Sequence, residues 1–219
     1  NQREALVWQE KGQSANQDVT VDIYAEAEKR PGIALRCSGS SGRENCYVGY
    51  FRHPTGNLEI LRYTNGTSSG SLVTKSMTIL QNKWYTLRMQ AIGNNLKLKI
   101  WERGTEEPDT WDIETTDSAI TSGYAGVFDY DGNGTSYWAN YSLNGDLADF
   151  SYLVGDLIGN MPVGWTLQFG TASRWTTEIK SVEVWDIEAV PGATVQLGDQ
   201  ISQTNQEGLA PFYDLQGGS

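Results

Sequence analysis

The stretch WYTLRMQAIGNNLKLKIW, Trp84 to Trp101, decides the fold class. Its apolar residues recur at every second position: Tyr85, Leu87, Met89 and Ala91 share one side, then Leu96, Leu98 and Ile100 return. That period marks a half-buried strand, because successive side chains of an extended chain point to opposite faces. Between the runs, Gly93-Asn94-Asn95 supplies residues that tolerate positive φ. The stretch therefore reads as a β-hairpin, with Lys97 and Lys99 turned to water.

The same grammar extends outward. DVTVDIYAE places Val19, Val21, Ile23 and Ala25 on one face and Thr20, Asp22 and Tyr24 on the other. GIALRC leads to CYVGYF across a Gly/Ser loop, CYVGYF leads to LEILRY across His53-Pro54-Thr55-Gly56-Asn57, and TNGTSSG is a further turn. GYAGVFDY and SYWANYSL, separated by Asp131-Gly132-Asn133-Gly134, read as another hairpin. No segment carries a 3.6-residue apolar stripe over three turns. A composition with 24 Gly, 8 Trp and 11 Tyr fits many short strands joined by tight turns. The expectation is an all-β, antiparallel two-sheet β-sandwich.

Charge removes several function classes. With 27 acidic against 16 basic residues, the formal net charge is -11, which repels phosphate backbones and anionic headgroups. Nucleic acid and membrane are thus not expected as partners. No run of about 18 apolar residues occurs, and NQREALVWQ lacks the basic and apolar regions of a signal peptide. Cys37 and Cys46 flank SGSSGREN, so a hairpin would bring them opposite each other; a disulfide and a pair of reduced thiols both fit.

The order NKWYTLRMQAIGNNLKLKIW, a loop with EEPDTW, SGYAGVFDYDGN and finally SYWANYSL resembles a laminin-G-like module of the concanavalin A-like lectin and glucanase superfamily. It is similar in particular to the versions found in bacteriophage virion proteins and bacterial surface proteins. The resemblance covers roughly residues 5 to 146. It implies a concanavalin A-like jelly roll on a virion surface or in another extracellular setting. It also implies contact with other virion chains, as a homo-oligomer or part of a larger assembly.

Glucanases of this superfamily carry Glu, Asp and Glu on alternate positions of one strand, and glycoside hydrolysis needs a carboxylate pair. Here Pro108 interrupts Glu107-Pro108-Asp109, and Asp112-Ile113-Glu114 lacks the third carboxylate, so no catalytic residue and no enzyme is expected. His53, the only His, precedes Pro54 in a turn and offers neither a metal cluster nor a triad base. Asp129, Asp131, Asn133 and Gly134 fit the first half of a calcium loop, but Asn140 stands where the bidentate Glu belongs. A hairpin turn reads the same way. No cofactor is required, and calcium at Asp129, Asp131 and Asn133 is the one metal expectation. Laminin-G-like modules often hold calcium at a loop rim, as the resemblance implies.

Aromatic residues beside loops offer a different chemistry. Trp101, Trp111, Tyr124, Tyr130 and Trp138 could stack on sugar faces while neighbouring acids and amides bond hydroxyls. Sandwich cores use the same residue types. The functional expectation is a non-enzymatic structural or adhesion module of a virion surface protein, serving assembly and glycan attachment. A carbohydrate-binding module of a secreted bacterial protein is the alternative; a glycoside hydrolase fits least.

Residues 1–146 read as one module lacking its first strand. Near the other end, SVEVWDIEAVPGA echoes EALVWQEKGQSAN, with VEVW over ALVW. We read residues 147–219 as a linker plus the start of a second related module; the alternative is strands that close the first.

Overall fold

The computed structural model describes residues 3–26, 29–39, 43–52, 56–130, 135–148, 152–154, 165–167, 194–197 and 200–203. Its strands, in chain order, are β1 (Arg3–Trp8), β2 (Gln17–Ala25), β3 (Gly32–Ser38), β4 (Asn45–Arg52), β5 (Asn57–Thr64) and β6 (Thr67–Ser76). They continue with β7 (Trp84–Ile92), β8 (Asn95–Glu102), β9 (Ile113–Thr116), β10 (Tyr124–Tyr130) and β11 (Ser136–Leu143). The last are β12 (Asp146–Ala148), β13 (Tyr152–Val154), β14 (Trp165–Leu167), β15 (Thr194–Leu197) and β16 (Gln200–Gln203). The chain divides into two compact units, Asn1–Ile179 and Lys180–Ser219.

The first unit is an antiparallel two-sheet sandwich. One sheet has the order β14-β1-β10-β3-β4-β5-β6, and the other β12-β11-β2-β7-β8-β9, with β13 also pairing β11. The second unit contains the hairpin β15–β16, with Thr194 opposite Gln203. In the hairpin of β7 and β8, Leu87 faces Ile100 and Met89 faces Leu98. Ile92 pairs Asn95, so the turn is Gly93-Asn94 alone, with Gly93 at φ 55.

Between the sheets, Val19, Val21, Ile23, Leu87, Met89, Leu96 and Leu98 meet Ile33, Leu35, Tyr47, Phe51, Leu58 and Ile60. Burying each large apolar side chain contributes about 1.5–3 kcal/mol, which makes this layer the main source of stability. A second apolar cluster, with Val7, Ala34, Val48, Tyr50 and Phe128, lies on the other face of the first sheet. Cys37 and Cys46 belong to it as buried thiols, and no disulfide joins them.

Three features differ from the sequence reading. β10 pairs β1 and β3, whereas β11 pairs β2, so GYAGVFDY and SYWANYSL stand in different sheets and are not a hairpin. Alternation tells which face is buried, not which sheet a strand joins. Beyond the turn Asn65-Gly66 runs β6, a strand that the Ser/Thr-rich sequence conceals because it is an exposed sheet edge. Lys99 does not point to water: it is only 4% exposed.

In the first unit β13 sets Tyr152 opposite Trp138, and β14 sets Trp165 opposite Trp8. Residues 181–193, the proposed opening of a second module, lie outside the described residues, as do His53, Asp131 and Asn133.

One end of the sandwich is tied by Arg36, which is 1% exposed and has φ 52. Its Nε, Nη1 and Nη2 donate to the carbonyls of Ala15, Ile120 and Gly93 at 2.9, 2.7 and 2.6 Å. Its amide donates to Gln17, whose Nε2 donates to the Gly123 carbonyl.

Candidate functional site

The outer face of the second sheet carries a polar and aromatic field. Asp18, Thr20, Asp22 and Tyr24 of β2 alternate with core residues, as do Trp84, Thr86, Arg88 and Gln90 of β7 and Lys97, Lys99 and Trp101 of β8. The pleat therefore projects them all from one face. Register makes them a grid: Thr20 stands opposite Arg88 and Arg88 opposite Lys99, while Tyr24 stands opposite Trp84 and Thr86 opposite Trp101.

Arg88 occupies the middle. Its Nε and Nη2 donate to the two carboxylate oxygens of Asp18 at 2.9 and 2.7 Å, and its Nη1 donates to Glu107 at 2.6 Å. Such a bidentate pair fixes the guanidinium plane, and Gln90 Nε2 donates to the same Asp18 at 2.7 Å. The hydrogen bond to Asp18 raises the Arg88 pKa despite partial burial.

The connection between β8 and β9 folds back over the sheet. It brings Glu107 within 2.6 Å of Lys99 Nζ, which also donates to the Pro108 carbonyl at 2.6 Å. Burial alone would raise the Glu107 pKa, but hydrogen bonds from Lys99 and Arg88 hold it below the ordinary carboxylate value. The Trp111 ring then lies over Lys99 at 4.8 Å, Arg88 at 5.8 Å and Lys97 at 5.9 Å. Three cations from the sheet thus gather around this ring, which remains partly exposed.

A second cluster surrounds Asp22. Its carboxylate accepts from Thr86 at 2.6 Å and from Asn140 at 2.8 Å, and pairs with Arg103 at 2.9 Å. Asn140 reaches it from a bulge in β11 between Ala139 and Ser142, where its φ is 51. Arg103 also lies 5.0 Å above Trp84. Trp84 packs on Tyr24, and Tyr24 on Tyr137, each at 5.6 Å between centroids. Partly exposed rings thus run across β11, β2 and β7 toward Trp101 and Trp111, beside the Arg88 network.

The aromatic residues expected to bind glycan separate into three places. Trp101 and Trp111 are on this face. Tyr124 and Tyr130 lie on the opposite side of the molecule, packed on the outer cluster of the first sheet, with Arg30 over Tyr130 at 4.7 Å. Trp138 is corrected outright: it is 0% exposed in the intersheet core, so no sugar reaches its ring. The error arises because β11 alternates, and Trp138 falls on the inward phase while Tyr137 falls outward. Sequence reasoning missed Asp18, Arg88, Gln90, Trp84, Tyr24 and Tyr137. The signal was present, since hairpin alternation already sets Arg88 and Gln90 on the side opposite Leu87 and Met89.

Two of the carboxylates weighed for hydrolysis are engaged. Asp112 accepts from the Ile100 amide at 3.0 Å and from Lys75 at 2.7 Å, while Glu114 pairs with Lys97 at 2.8 Å. Of the expected calcium ligands, Asp129 turns inward to Lys29 at 3.3 Å and accepts from Ser136 at 3.4 Å. Among the described residues no group of three or more His, Cys, Asp or Glu is placed to hold a metal ion.

No protein-family model matches the chain, and no curated protein matches it. Solved structures do. A carbohydrate binding module, CBM66 from Bacillus subtilis, aligns with a TM-score of 0.51 at 17% identity, over 60% of this chain and 76% of that one. Chicken galectin 2 aligns with a TM-score of 0.47 at 11% identity, over 65% of this chain and 99% of the other. The sandwich is a concanavalin A-like jelly roll.

Proposed function

We propose that the outer face of the second sheet is a glycan-binding platform, and that the chain is a non-enzymatic adhesion module of a virion or cell exterior. The observation that carries this is the row of partly exposed rings, Tyr137, Tyr24, Trp84, Trp101 and Trp111, beside the fixed hydrogen-bonding groups of Asp18, Arg88 and Gln90. Flat rings take the apolar faces of sugars, and groups already locked in place lose little entropy on bonding hydroxyls. The fold shared with a carbohydrate binding module agrees with this reading. The exterior setting, and contact with neighbouring virion chains, rest on the sequence resemblance.

A glycan array tests it. Reproducible binding is expected, lost in Trp111→Ala and kept in Tyr124→Ala, whose ring lies on the other sheet. Binding that survives Trp111→Ala and vanishes in Tyr124→Ala would move the site to the first sheet. Release of reducing sugar, abolished by Asp112→Asn or Glu114→Gln, would make the protein an enzyme.

A further inference from the structure

Resting on that platform reading, we propose that the glycan taken by this face is uncharged. The charges of the face supply the argument. Among the described residues, every cation there meets a carboxylate: Arg88 meets Asp18 and Glu107, Lys99 meets Glu107, Lys97 meets Glu114, and Arg103 meets Asp22. Lys99 is further enclosed by the Pro108 carbonyl and the Trp111 ring.

A sulfate, a sialic acid carboxylate or a uronate needs an arginine fork or an ammonium with donors to give. Here the fork of Arg88 already holds Asp18 in bidentate geometry. An anionic group entering beside it meets Asp18 and Glu107, and displacing either leaves a carboxylate without its partner. The net charge of -11 adds repulsion at longer range, reduced by salt beyond about 8 Å.

A hydroxyl faces no such conflict. It donates to a carboxylate lone pair and accepts from a neighbouring N–H, so it bridges a guanidinium–carboxylate pair without breaking it. Around the buried Asp22 carboxylate, the exposed Asn140 amide and the part-exposed Arg103 guanidinium offer the same double character. Paired charges at the edge of partly exposed rings are therefore suited to neutral sugars with adjacent hydroxyls.

The test uses the whole chain and matched glycan pairs that differ by one sialic acid, sulfate or uronate. Neutral members are expected to bind, with affinity nearly constant between low and physiological salt. Their anionic counterparts are expected to bind about tenfold more weakly, equivalent to 1.4 kcal/mol. Glu114→Gln, at an exposed residue, removes the carboxylate partner of the part-exposed Lys97, and is expected to narrow that gap by improving the anionic members. Anionic members that bind the unaltered protein as tightly as neutral ones, or a gap unmoved in Glu114→Gln, overturn the proposal. If neither series binds, the platform reading itself fails, and this inference with it.

Discussion

At Arg36 a cation is sealed from water among backbone carbonyls, and desolvation lowers its pKa. Replacing it with Met removes every side-chain bond to Ala15, Ile120 and Gly93 and leaves those acceptors unpaired. Arg36→Met is expected to cost about 3 kcal/mol or more, read as a lowered urea midpoint. Asp129 makes a prediction of the opposite electrostatic kind. Burial, opposed by Lys29 and Ser136, pushes its carboxyl from 3.8 up to about 6. Between those values the folded protein holds a proton that the unfolded chain has lost. The stability contributed by this residue therefore falls as pH rises from 3.8 to about 6, and stays at the lower level above that. Glu107, held by Lys99 and Arg88, and Asp117, held by Tyr47 and Arg62, act the other way: burial opposes them, but these partners hold both below the ordinary value, so their stabilisation is lost on acidification. A carboxyl NMR titration is expected to place the Asp129 midpoint near 6; a midpoint at the ordinary value would falsify the account.

At the scale of elements, the connection from β8 to β9 behaves as part of the sheet. Glu107 and Pro108 enclose Lys99, and Trp111 covers the row beneath. Glu107→Gln is expected to destabilise the fold by about 1–3 kcal/mol, because Lys99 and Arg88 lose one charged acceptor together. A matching change in Trp111 fluorescence would show the ring moving off its cations, while unchanged stability and emission would make the loop a passive cover. Elements also show what the sequence discloses. The apolar faces of the β7–β8 hairpin and of β2 were legible residue by residue, since Val19, Leu87, Met89 and Leu98 alternate with polar residues. β6 was not, because an edge strand such as Thr67–Ser76 has little apolar face to advertise. Trp111 is a candidate glycan contact by its type, but its place over Lys99 depends on how a loop folds back, and no periodicity encodes that. Arg88 was overlooked because a charged residue in a strand reads as a solvated side chain until its partners from β2 and the loop are in place.

For the whole molecule, calcium is the sharpest question that the sequence raised. The Asp129 carboxylate is engaged by Lys29 and Ser136, so an ion must displace a buried partner to use it. Millimolar calcium is expected to shift Tm by less than about 4 °C in a thermal scan. A larger rise, reversed by a chelator, would restore the site expected at Asp129, Asp131 and Asn133. The fold class was legible throughout because two-residue alternation and Gly/Asn turns fill the chain. The partnership of distant strands was not, since nothing local in β1 or β2 names β10 or β11.

Those distant partnerships also govern the order in which the protein is made. Ala5 waits for Phe128, and Val19 for Leu143. At ordinary synthesis rates β2 leaves the ribosome on the order of ten seconds before β11. Hairpins such as β4–β5 and β7–β8 form in that interval, and β7 covers one edge of β2. The other edge stays open to any passing strand. A nascent chain halted after Tyr130 would carry that open edge indefinitely, so a translational pause there invites pairing between chains rather than within one.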